Sequence, residues 1–368
     1  MRLARRATFF RFPSFAFRFL LAAAVILATL PLVLAQVVPP SGTLLSRQAV
    51  VINPVSHKVY AVDKDHGAVS VINAMNNRIG SVKVGQEPVA IAINSVSGRV
   101  YIVNNASGTL SVLDGQNDSV ISTVDVGARP YVLAVDKATN KIYVSNTFSD
   151  VLTIIDGVSN GTRKIKIGSK DAMVVSPKMN RLYLLGYEDA NINALAGAGE
   201  VPVKVHIGTH LWGMALNEAS QTLYVTRIGD GSVAAVDEKT GNVTMIATGA
   251  MPCAVAVNPS KNIAYVANYG DDSVTIIDGA KRSTIATVPV GKHPEAIAVD
   301  AKSNLIYTAN THGNSVSVID GSTNKVIATL DAGKNPYAVA VDADSGKVFV
   351  ANMDSPGFTM IDASSRKR

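Results

Sequence analysis

The residues able to do chemistry are few and scattered. Six histidines stand at positions 57, 66, 206, 210, 293 and 312, with one cysteine, Cys253, and one tryptophan, Trp212. None of them forms a short metal-ligand motif such as H-E-x-x-H, which puts two imidazoles on one helix face around zinc. No G-x-S-x-G elbow presents a serine nucleophile, and no P-loop cradles a phosphate. A single cysteine rules out an internal disulfide and a C-x-x-C-H haem attachment. Cys253 precedes an apolar run, where a small packed residue is expected rather than a nucleophile. Asp114, Asp156, Asp278, Asp320 and Asp362 recur, but none has the clustered ligand spacing of a calcium loop. Asn104, Asn146, Asn268, Asn310 and Asn352 recur as well. A repeated Asn most simply satisfies loop backbone groups. Any site must be assembled from segments far apart in the chain.

Those segments belong to a repeat. Aromatic residues Tyr60, Tyr101, Tyr143, Tyr183, Tyr224, Tyr265, Tyr307 and Phe349 are spaced by 41, 42, 40, 41, 41, 42 and 42 residues. A period near forty means a propeller or a helical solenoid. The alternating β-branched residues exclude helices. In the copy from residue 296, apolar runs at 296–299, 305–309, 315–319 and 326–332 are separated by turn residues, among them Asp320-Gly321. Four antiparallel strands per repeat make one propeller blade.

The motifs Tyr143-Val144-Ser145-Asn146, Tyr265-Val266-Ala267-Asn268 and Phe349-Val350-Ala351-Asn352 carry a further resemblance, with Ser273-Val274-Thr275-Ile276-Ile277-Asp278 and the link Val290-Gly291-Lys292-His293-Pro294. Over residues 49–362 the chain resembles the YVTN-type, YncE-like β-propellers. The resemblance implies an all-β propeller of exported type and says little of activity. Related propellers include surface-layer proteins and lactonase- or lyase-type enzymes, and other eight-bladed propellers hold large cofactors.

The first three strands occur eight times and the fourth seven times, which gives 31 strands. Eight blades are expected, with seven as the alternative. The missing outermost strand of the last blade is expected from residues 37–48, although Pro39 and Pro40 fit only an edge strand there. Residues 1–35 read as a signal peptide: five arginines and no acid before residue 19, then an apolar stretch ending at Val33-Leu34-Ala35. The 49–368 segment reads as the propeller with a short basic tail, Arg366-Lys367-Arg368. Of the formal net charge of +6, five charges lie in the leader, so the mature chain is close to neutral and carries no strong nucleic-acid signal. A periplasmic, secreted or cell-surface monomer is expected, with the membrane involved only through an uncleaved leader.

In such a ring the loops before each first strand and between second and third strands converge on the channel mouth. At these positions stand Arg129, Tyr187, His210, Trp212, Arg227, Tyr269, His293, His312 and Tyr337, with His66 and Phe148. A concave rim of aromatic, basic and imidazole groups is a candidate binding site. Copies four and five depart most from the repeat, with Gly186-Tyr187 and Arg227-Ile228-Gly229 in the Asn loop. The expected function is a non-catalytic binding scaffold for a protein, glycan or small molecule, with no cofactor and no metal. One alternative is a hydrolase or lyase pairing His293 with Glu295 or His312, which requires those groups to meet within hydrogen-bond reach of one substrate. The other is a cofactor-binding propeller.

Overall fold

The computed structural model describes residues 48–362, apart from 78, 147, 148, 198, 200, 356 and 357. The leader, residues 36–47 of the expected closing segment, Phe148 and the tail beyond 362 lie outside the described residues. Within them, 31 strands form eight antiparallel sheets, seven of four strands and one of three. There is no α-helix among the described residues, and the eight-bladed expectation holds over seven.

Blade 7 serves as the example. Its strands Pro294–Asp300, Leu305–Asn310, Ser315–Asp320 and Lys325–Asp331 pair in sequence order. The first strand starts at the loop proline, earlier than the apolar pattern suggests. Proline is tolerated there because the first strand is an inner edge and needs no donor on its free side. First strands of successive blades touch one another around the whole ring, including blade 8 against blade 1. They wall the central channel, and the fourth strands form the outer surface.

The core lies between blades. All eight period-setting aromatics are buried, and the Tyr60 hydroxyl donates to the carbonyl of Gly115 in blade 2 at 3.3 Å. A Cβ on Gly279 or Gly321 would stand 2.7 Å from the hydroxyl of Tyr224 or Tyr265 of the preceding blade. The tyrosine and the Asp-Gly glycine are thus two halves of one inter-blade contact. The Asp is the other part of that turn: Asp320 Oδ1 accepts the Ser322 N–H at 2.8 Å, and Asp278 does the same for Ala280 at 2.9 Å. These are Asx turns.

The recurring Asn is structural too. Asn310 Nδ2 donates to Ser315 and Ser317 at 3.1 and 3.0 Å, and Asn104 and Asn268 bond their own third strands likewise. A Cβ on Gly291 would lie 2.5 Å from Asn310, and one on Gly333 the same from Asn352. The inter-blade glycine exists to admit this side chain.

Blade 8 meets blade 1 by the rules that join the other blades. Lys58 opens the second strand of blade 1 and donates to the carbonyl of Gly115 in blade 2 at 2.9 Å; Lys347 donates to the equivalent carbonyl, that of Ala74. Ala49, Val59, Ile72, Tyr337 and Phe349 share one core cluster across the seam. One detail differs. Asn94–Asn140, Asn217–Asn262 and Asn258–Asn304 bridge neighbouring blades by neutral amide bonds of 2.8–2.9 Å. At the seam the pair is His57 Nδ1 and Asp342 Oδ1 at 3.3 Å, with Asp344 3.8 Å from Nε2.

Candidate functional site

The first strands carry the feature that breaks the repeat. In six blades the register slips at the second residue, leaving a bulge at Val89, Tyr131, Trp212, Cys253, Glu295 and Tyr337. Gln48 and Asp171 hold the same register in blades 1 and 4, just ahead of Val50–Ile52 and Ala172–Ser176. A bulge re-aims one side chain out of the pleat. Flanking positions repeat from blade to blade, whereas these eight residues are nearly all chemically different. One contact reaches across the ring from this register. Gln48 Nε2 donates to the carbonyl of Leu133, two blades away, at 3.0 Å.

Polar groups on and beside this ring shape it. Glu295 Oε2 accepts the Thr311 hydroxyl at 3.0 Å. Burial, reinforced by Glu295, pushes the phenols of Tyr269 and Tyr337 up to about 12, so both are hydrogen-bonding alcohols at neutral pH. Asp171 is exposed, yet the protein around it raises its carboxyl, and its Oδ2 accepts the Tyr187 N–H at 2.8 Å.

Behind the ring the expected rim residues gather in two clusters. The first joins blades 4 and 5: the Tyr187 ring centre lies 5.4 Å from His210 and 5.6 Å from Trp212, edge to face in both pairs. Trp212 is 41% exposed, so its large ring is presented rather than packed away. The second joins blades 6 and 7. The Tyr269 ring centre stands 4.6 Å from His293, and His293 stands 4.4 Å from His312. The two Nδ1 atoms are 3.1 Å apart. Burial, then the neighbouring imidazole, lowers the His293 pKa. His293 sits at φ 52°, held by its N–H to Asp272 Oδ1 at 2.8 Å.

The remaining expected residues lie elsewhere. Arg129 is exposed on blade 3, facing Glu87 across an open groove of about 690 Å³. Arg227 takes over the role of the missing Asn: it bonds Ser232 of its own third strand at 3.0 Å and Asp230 at 2.5 Å, and so turns into its blade. Tyr337 is only 6% exposed and belongs to the seam core, not to an open rim. His66 pairs with Asp63 at 2.8 Å within one loop. Cys253 is buried, with Sγ 3.2 Å from the Pro294 carbonyl. Asn105 and Thr311 cap the equivalent carbonyls of Pro130 and Pro336, so the thiol fills a structural slot. Asp171 and Tyr131 stand in the same entry loops but are not among the expected rim residues. Aligning the residue after each loop proline, with Lys170 in the proline's place, brings them out.

The fold has relatives among solved structures. The Kuenenia stuttgartiensis hydrazine synthase chain superposes with a TM-score of 0.61 at 18% identity, covering 76% of this chain and 98% of that one. Dihydro-heme d1 dehydrogenase NirN in complex with DHE gives 0.72 at 15% identity, covering 93% of this chain and 75% of that one. Likeness at such identity speaks for the fold alone. No curated protein sequence matches. The YNCE-like beta-propeller family matches residues 78–368, so the chain belongs to the YNCE-like β-propeller family.

Proposed function

We propose that this chain is an exported binding propeller whose ligand, a small planar π-rich molecule, sits at the channel mouth over blades 4 to 7. One observation carries the reading: the bulge ring is chemically varied while the rest of the repeat is regular, and its Trp212 and Glu295 positions are backed by the two aromatic–imidazole clusters. Edge-to-face aromatic walls favour a flat ligand. The cations nearby are already matched, Lys170 by Asp189 and Lys292 by Asp272, both at 2.6 Å, so bulk anion capture is not what the site is built for.

The only tryptophan in the chain is Trp212, so tryptophan emission reports on this site alone. A saturable emission change with aromatic or heteroaromatic ligands, lost in Tyr187→Ala with the fold intact, supports the reading. Ligand binding by calorimetry that leaves Trp212 emission unchanged and survives Tyr187→Ala places the ligand elsewhere and sinks it.

A second reading is favoured by the His293–His312 contact. A neutral imidazole within hydrogen-bond reach of a second one supplies a base for lactone hydrolysis or elimination. Turnover of a lactone panel, abolished by His293→Gln, would support it. Because NirN is described with DHE, the absorption spectrum of the purified chain tests a cofactor role directly, and a colourless preparation counts against a haem-like group.

A further inference from the structure

We infer that His293 and His312 form a chelating site for a divalent transition-metal ion of the copper, nickel or zinc type. The inference deepens the channel-mouth reading and rests on it for the use of the metal: an ion held by two imidazoles keeps open positions for the ligand.

The distance is the first argument. The two Nδ1 atoms stand 3.1 Å apart. With metal–nitrogen bonds of about 2.0–2.1 Å, that separation gives a bite angle of roughly 98°, between the square-planar and tetrahedral values. The spacing of the two donor atoms is thus that of a chelate. Donor chemistry is the second argument. The pair offers two imidazole nitrogens, and no third carboxylate, thiol or imidazole completes a ligand group with them among the described residues. Imidazole donors suit copper, nickel and zinc, while calcium and magnesium ask for oxygen.

Rigidity is the third argument. The loops carrying the two residues are tied by the Thr311 N–H to the His293 carbonyl at 3.0 Å. His312 lies in a 3-10 turn, Thr311–Gly313, closed by Asn314 at φ 49°. Tyr269 packs against both imidazoles, at 4.6 and 6.3 Å between ring centres. The Lys292 ammonium, the nearest competing cation, is held by Asp272.

The seam cluster His57, Asp342 and Asp344 has three ligating types within reach of one another. Its charges are already matched. The two His57 nitrogens face different carboxylates, Asp344 also binds Lys302 at 2.8 Å, and Asp342 Oδ2 accepts the Ser345 hydroxyl at 2.7 Å.

The test uses the full chain, stripped with chelator and titrated with Cu(II) alone, followed by calorimetry and electron paramagnetic resonance. One site with two equatorial nitrogens is expected. Each of His293→Gln and His312→Gln is expected to weaken it by about tenfold or more, since even the loss of an outer-shell partner of a metal ligand costs that much. His210→Gln and His57→Gln are expected to leave it intact. His312 is exposed on its turn, so the His312→Gln chain keeps its fold and the measurement stays decisive. Wild-type affinity in both pair variants, a one-nitrogen spectrum, or loss of the site in His57→Gln overturns the inference. Because the probe is the metal alone, failure here leaves the tryptophan-reported ligand reading standing, and failure of that reading leaves this result standing.

Discussion

At the scale of the residue, the repeat is a set of paired requirements. Gly291 and Asn310 illustrate one, because the glycine lacks the Cβ that would collide with the amide. Gly291→Ala should destabilise the chain by about 1–3 kcal/mol, the usual cost of overpacking. Thermal unfolding measures it, and an unchanged Tm would refute the pairing. The Asx-turn aspartates give a pH prediction. Backbone N–H donors, those of Lys281, Ser322, Gln116, Ser159 and Thr240 foremost, hold the carboxyls of Asp278, Asp320, Asp114, Asp156 and Asp237 below the ordinary value of 3.8. A depressed carboxyl means that the unfolded chain takes up protons first on acidification. Stability from these turns is therefore complete above about pH 5 and lost as pH falls through 3.8 and below. Copy one makes the same turn with Asn73, whose Oδ1 accepts the Met75 N–H at 3.0 Å. Asp278→Asn should thus keep Tm at pH 7 and reduce its fall between pH 5 and pH 3; an unaltered acid slope would contradict this.

At the scale of the element, the bulge in six of the eight first strands is the device that turns a structural repeat into a site. The sequence made Trp212, His293 and His312 visible as irregular loop residues. It did not show that Asp171, Tyr131 and Glu295 share their register with Trp212, because a bulge shifts pairing without leaving a composition signal. Arg227 misled for a related reason: replacing an Asn suggested a ligand contact, but the guanidinium satisfies the third strand of its own blade. The junction between strands of adjacent blades supplies another prediction. His57→Ala strands the buried Asp342 carboxylate and should cost about 1–3 kcal/mol. The double change His57→Asn with Asp342→Asn recreates the amide pair used between blades 2 and 3. It should recover most of that loss in denaturant unfolding, and a double variant no more stable than His57→Ala would argue against equivalent junctions.

At the scale of the whole molecule, the ring closes through blade 8 against blade 1 with the same lysine-to-carbonyl bond found between blades 1 and 2. Lys58→Met and Lys347→Met should therefore cost similar amounts, about 0.5–1.5 kcal/mol each. A much larger loss at Lys347, or unfolding in two steps there alone, would mark the seam as a weak point. The sequence by itself determined the repeat, the four-strand unit and the structural character of the repeated Asn and Asp, and favoured eight blades over seven, because periodic burial must be written into a periodic sequence. Only the tertiary structure decided which unlike residues meet. His293 and His312 come together across two loops, Tyr187 joins Trp212 from the next blade, and Tyr337 withdraws into the seam. Those meetings depend on loop backbone, bulge register and ring closure, which set distances between residues that no spacing along the chain encodes.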